Sequence, residues 1–174
     1  MTDIDEILAG YPVCQYEVLN ASEIPFSEKV RYICRTECER YGRSWSCPPA
    51  VGEVEECRRR CLKFRHALVF TTVAEVEDAS VMEQTLKTRA GHEQITRSLC
   101  RELEARGMKC LALSGESCSI CEKCAYPEEC RHPDRMIPCV ESYGILVTEI
   151  AEKCGISFYT DNHTVTWFGL IFFA

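Results

Sequence analysis

His66-Ala-Leu-Val-Phe-Thr-Thr-Val73, a long periodic run closing at Arg106-Gly107, and then Met108-Lys-Cys-Leu-Ala-Leu113 form the stretch on which the fold turns. The first segment has the β-branched and aromatic composition of a buried strand. Ser80 and Glu83 have capping-box spacing, which predicts a helix running from there to about Arg106. Ile95, Leu99 and Leu103 fall on one helical face, and Gly107 supplies the stop. Met108–Leu113 reads as the next strand, so the unit is strand–helix–strand, long enough for a parallel crossover.

Working outward, Gln15–Leu19 alternates loosely as a short first strand. Glu53–Lys63 predicts a helix with an acidic start and a basic end, which suits the helix dipole. A second amphipathic helix is expected over Val140–Cys154, with Tyr143, Leu146, Val147, Ile150 and Cys154 inward and Gly155 ending it. Ile156–Thr160 and Val165–Phe173 read as two strands joined at Asp161-Asn162-His163, a hairpin turn. Trp167 and Phe168 are expected in the core, and Arg89-Ala-Gly91-His92 on the helical surface. The expected class is α/β or an α+β sandwich: one domain over 1–174, a small mixed sheet with packed helices, interrupted by cysteine-rich loops at 34–49 and 115–139.

The chain has 174 residues, 46% apolar and 27% charged, which is ordinary for a globular protein and argues against disorder. A net charge of -7 and no basic block longer than Arg58-Arg59-Arg60 disfavour a nucleic-acid partner. The acidic N-terminus lacks the features of a secretory signal, and the apolar C-terminal stretch is too short to span a bilayer. The expectation is a cytoplasmic protein without membrane contact. Its oligomeric state is left open.

Fourteen cysteines are the anomaly. In a reducing compartment they point to metal rather than to disulfides. Cys118-Ser-Ile-Cys121-Glu-Lys-Cys124 has two consecutive two-residue spacers, and Cys130 follows through a Tyr126-Pro127-Glu128-Glu129 turn. Such a run lets thiolates converge on a compact cluster, as in bacterial ferredoxins, and four thiolates satisfy a [4Fe–4S] cluster. Zinc is the rival, although zinc modules usually present two separate cysteine pairs. His132 could substitute as a ligand but reads better as a loop histidine.

A second constellation is Cys34, Cys38 and Cys47, the last followed by Pro48-Pro49. Three thiolates leave one position to fill, by Cys139, by a residue of the other run or by substrate. Cys139 itself reads equally as a ligand favoured by a helix start or as a buried thiol. Eight cysteines in all would serve two cubane clusters, and a metal-free structural loop at 34–49 is the other reading. Cys57 and Cys61 share a helical face and read as core, and packing also accounts for Cys14, Cys100, Cys110 and Cys154.

Cys34, Cys38, Tyr41-Gly42 and Trp45-Ser46-Cys47-Pro48-Pro49 resemble the N-terminal signature of an uncharacterised family of predicted metal-binding proteins. Cys118, Cys121, Cys124, Tyr126-Pro127, Cys130-Arg131-His132-Pro133 and Tyr143-Gly144-Ile145 resemble its second signature, and Val165–Leu170 its end. The resemblance implies metal binding at Cys118, Cys121, Cys124 and Cys130 and favours it at Cys34, Cys38 and Cys47. Cys139 stands where that family usually has a small residue.

Three functions follow from this reading. The first is a redox protein that carries one or two [4Fe–4S] clusters and exchanges electrons with a partner protein. The second is an enzyme with an open iron at the N-terminal group. The third is a zinc-stapled module for partner binding without redox activity. No phosphate loop, catalytic triad or paired-carboxylate signature is present.

Overall fold

The computed structural model describes residues 4–158 and 161–174. Its elements in chain order are α1 (Ile4–Leu8), β1 (Gln15–Asn20), α2 (Glu28–Glu37), α3 (Val54–Cys61), β2 (His66–Glu75), α4 (Met82–Ala105), β3 (Cys110–Ser114), α5 (Val147–Cys154) and β4 (Thr164–Phe173). Four strands form one sheet in the order β1-β2-β4-β3, with every neighbouring pair antiparallel. The α/β character is as expected, but the sheet is antiparallel throughout rather than mixed.

The strand–helix–strand unit forms, with a difference. β2 and β3 both run antiparallel to β4, so they are parallel to each other with β4 inserted between them. The crossover helix α4 therefore spans a split β-α-β arrangement. β2 and β4 are buried on both faces, which is why each reads as a nearly continuous apolar run. Leu68, Phe70, Ile171 and Phe173 face α4 and α1, where Leu99, Leu103, Ile7 and Leu8 cover them. Ala67, Val69, Leu170 and Phe172 face the other way, onto Cys57 and Cys61 of α3 and Ile150 of α5.

Several expectations are corrected. Asp78, not the helix, takes the Ser80 hydroxyl at 2.6 Å, and α4 starts at Met82 without a side-chain cap. The helix expected over 140–154 is broken: Glu141–Tyr143 form a 3₁₀ turn, Gly144 adopts φ 77°, and α5 begins at Val147. A β-carbon at Gly144 would also meet Val54 Cγ1 at 2.8 Å, so glycine serves both the turn and the packing. Ile156–Phe158 are not a strand, and Tyr159 and Thr160 lie outside the described residues; β4 pairs instead with β2 and β3. The region from Cys34 begins inside α2, which Ser27 caps by accepting from the Lys29 amide. His92 is not on the surface but 2% exposed, stacked between Phe70 and Trp167. Trp167 and Phe168 are buried as expected.

Candidate metal centre

β3 ends at Ser114, and the long cysteine loop leaves the sheet there and returns beside the same residue. The Ser114 amide donates to Pro138 O and the Val140 amide to Ser114 O, which places Cys139 in a parallel bridge with Ser114. The loop is thus closed at its base by backbone hydrogen bonds, and its cysteines are held against the segment Ser44–Pro48.

Cys118, Cys121, Cys124 and Cys130 line one small pocket together with Ser44, Trp45 and Met136. Trp45 fastens its outer wall: the indole Nε1–H donates to Glu128 O at 2.7 Å, and the ring meets Tyr126 edge-on at 5.1 Å. This is how the Tyr126–Glu129 turn brings Cys130 back toward the run. Burial raises the Cys124 thiol, but hydrogen bonds from the backbone of Tyr126, Trp45 and Ala125 and from Ser44 outweigh it and hold the thiol below its ordinary value. Burial pushes the Cys118 thiol up, opposed by backbone hydrogen bonds at Ile120 and Ile137. Donors aimed at sulfur are the environment that a thiolate requires. His132 is half-buried at the rim of this pocket.

Cys34, Cys38, Cys47 and Cys139 line a second pocket of about 230 Å³, with Tyr41, Glu116, Ser117 and Glu141 around them. Cys139 lies around the same space as the three cysteines of the N-terminal group. Cys34 comes from α2, Cys38 caps its C-terminus, and Cys47 and Cys139 are buried. Burial pushes Cys47 up to about 11, and the neighbouring Cys38 and Cys34 add to the rise. Burial likewise raises Cys139, whose Sγ donates to Glu141 Oε2 at 2.9 Å. Burial in turn raises the Glu141 carboxyl. Ser117, which lines the same pocket, has a buried hydroxyl with no hydrogen-bond partner. Four thiols and an unsatisfied donor around one space fit a thiophilic metal group.

Among the described residues, no three Cys, His, Asp or Glu side chains are drawn to a single point where one ion could sit. The thiols line the walls of cavities instead. Of the cysteines expected to be inert, Cys57 and Cys61 are core. Cys14 is exposed, so packing does not account for it, while Cys100, Cys110 and Cys154 are half-buried.

Sequence reasoning missed Ser46, which joins the two pockets, and Glu93, which ties the cysteine loop to α4. Ser46 Oγ accepts from the Cys118 amide, and Ser46 O accepts from the Cys139 amide. Glu93, 1% exposed on α4, accepts from the Ser119 amide through Oε1 and from Arg97 through Oε2. The four-residue spacing of Arg89, Glu93 and Arg97 was the available signal for this clamp.

A family model described as a predicted metal-binding protein (DUF2284) matches residues 17–173. No curated protein and no solved structure matches the chain. Among the described residues no helix is long and apolar enough to cross a membrane.

Proposed function

The chain belongs to the predicted metal-binding family DUF2284, and from that premise we propose that it is a two-cluster iron–sulfur electron carrier. Cys118, Cys121, Cys124 and Cys130 would hold one [4Fe–4S] cluster, and Cys34, Cys38, Cys47 and Cys139 the other. The observation that carries this reading is the sorting of eight cysteines, without remainder, into two four-thiol pockets that share the wall Ser44–Pro48. Thiols arrayed around a space suit a cluster in which each binds a different iron. A single zinc ion would need four donors at about 2.3 Å from one point.

When bound, such clusters supply one-electron storage at potentials set by hydrogen bonding to sulfur and by solvent exposure. The residues of this chain set both. Tyr126, Trp45, Ala125 and Ser44 direct hydrogen bonds at Cys124 Sγ, stabilising its thiolate form. Trp45 lines the first pocket, and Tyr126 packs edge-on against its ring. In the second pocket Cys47 and Cys139 form the buried side, and Glu141 Oε2 is placed to accept the proton that Cys139 Sγ would give up on ligation. Cys118, Cys121, Cys124 and Cys130 are all half-buried, and Cys38 of the second pocket is exposed, so each pocket has a side from which a partner protein could exchange electrons.

Anaerobic purification with iron, sulfide and zinc analysis tests the reading. Roughly eight irons with matching acid-labile sulfide are expected, four to each cubane. Cys121→Ser and Cys139→Ser should each remove about half of the visible charge-transfer absorbance. Stoichiometric zinc without sulfide would overturn the proposal in favour of a zinc-stapled module. About four irons, lost on Cys121→Ser and unchanged on Cys139→Ser, would reduce it to one cluster.

A further inference from the structure

The second pocket contains a polar group that the fold leaves without a partner. Ser117 is 2% exposed, it lines the space among Cys34, Cys38, Cys47 and Cys139, and its hydroxyl has no hydrogen-bond partner. A buried hydroxyl is ordinarily paired, so an orphaned one calls for an acceptor that arrives with a ligand. The other serine of that lining is already committed, because Ser142 Oγ donates to Cys139 O at 2.6 Å. Among the described residues, no other unsatisfied buried side chain lines either cysteine pocket.

The backbone fixes Ser117 from both sides. The Gly115 amide donates to Phe168 O at 2.9 Å, and the Cys118 amide donates to Ser46 Oγ at 2.9 Å. Between them Glu116 takes φ 60°, the one non-glycine residue of positive φ among those described. That conformation is uncommon for a residue with a β-carbon and persists only where the surroundings over-determine it. It stands directly before Ser117, where the chain passes from the second pocket to Cys118 of the first. The Glu116 carboxylate pairs with Arg40 at 3.8 Å and leaves the hydroxyl unpaired.

Resting on the two-cluster reading, we propose that the Ser117 hydroxyl donates a hydrogen bond to a sulfur of the second cluster and so sets its reduction potential. Sulfur is the acceptor that a cluster brings into a space ringed by four cysteines. A donor to that sulfur favours the more negative, reduced state over the oxidised one, which raises the potential. Ser117 binds no iron. Its part is electrostatic, and it acts on the second pocket although its neighbour Cys118 belongs to the first.

The test is an anaerobic redox titration of the full, metal-loaded chain, followed by visible absorbance, with iron counted in every variant. Ser117→Ala should move one couple, the one that Cys139→Ser removes, to more negative potential. The expected shift is about 59 mV, a tenfold change for a one-electron step. The couple that Cys121→Ser removes should stay where it is. Ser117→Thr keeps a hydroxyl and should titrate near wild type. An unshifted couple in Ser117→Ala, with roughly eight irons retained, would overturn the hydrogen bond and leave the two-cluster reading intact. So would a shift of the couple that Cys121→Ser removes, or a Ser117→Thr chain as negative as Ser117→Ala. Zinc in place of iron, or only about four irons in wild type, would overturn the two-cluster reading itself, and the hydrogen bond with it.

Discussion

The Ser46 hydroxyl accepts a hydrogen bond from the backbone amide of Cys118 at 2.9 Å, across 72 positions of sequence. The Ser46 carbonyl accepts from the Cys139 amide at 3.0 Å, and its hydroxyl lies 3.7 Å from Cys47 Sγ and 2.8 Å from Ser44 Oγ. One fully buried serine therefore touches a cysteine of the first pocket and two of the second. The Trp-Ser-Cys-Pro motif reads in sequence as part of one cysteine group, yet it is the partition between both.

Removing the hydroxyl with Ser46→Ala leaves the Cys118 amide without its acceptor, at a cost of about 1–3 kcal/mol for an unpaired buried donor. Both pockets should feel it. The expected outcome is a lower denaturation midpoint with faster loss of bound metal to a chelator, measured against wild type under anaerobic conditions. A change in metal release with no change in midpoint would assign Ser46 to the pockets alone.

Glu93 should be the more severe site. Its carboxylate holds Arg97 at 2.6 Å, Arg89 at 3.8 Å and the Ser119 amide at 2.9 Å, all with almost no water nearby. Glu93→Gln keeps an acceptor for Ser119 but removes the charge that balances two guanidinium groups. Breaking a buried pair from one side costs roughly 3–5 kcal/mol. Urea denaturation should show that loss, and Arg97→Met in the Glu93→Gln background should recover part of it.

β2, α3 and β4 were legible in the sequence because their signals are local. β2 and β4 are apolar runs of strand length, and α3 is bounded by charges that match the helix ends. What the sequence hid was settled by distant partners. Ser80 had the right spacing for a capping box, but Asp78 lies two residues away and takes the hydroxyl first. The helix expected over 140–154 fails at one residue, Gly144, whose left-handed conformation meets the side chain of Val54. The grouping of Cys139 with Cys34, Cys38 and Cys47 depends on the return of a long loop to Ser114, which no spacer length encodes. His92 reads as surface because its helix is mostly polar; the rings of Phe70 and Trp167 that enclose it come from the sheet.

Gly169 sits opposite Phe70 in the β2–β4 ladder, and the ring lies over it. A β-carbon there would fall 2.4 Å from Phe70 Cζ. Because Phe70 is fully buried in a close-packed core, the ring has little room to withdraw. Gly169→Ala should destabilise the fold by about 1–3 kcal/mol, the usual cost of overpacking. Gly169→Ala combined with Phe70→Leu should be more stable than the sum of the single effects, which a double-mutant cycle reads directly.

His92 gives the fold a specific pH dependence. Burial pulls its imidazole down to about 4 from 6.5. Nδ1 pairs with Thr72 Oγ1 at 2.8 Å, so the ring is held neutral and bonded in the core. The unfolded chain binds the proton first as pH falls, so between about 6.5 and 4 the unfolded state holds more protons than the folded one. Stability therefore falls with falling pH through that window, and the linked loss approaches about 3 kcal/mol at its lower end. Above 6.5 the ring is neutral in both states and contributes no slope. His92→Gln should remove this component whatever its effect on stability at pH 8. The check is the difference between wild-type and variant unfolding free energies from pH 8 to pH 4, and a difference that stays constant over that range would count against a buried neutral histidine.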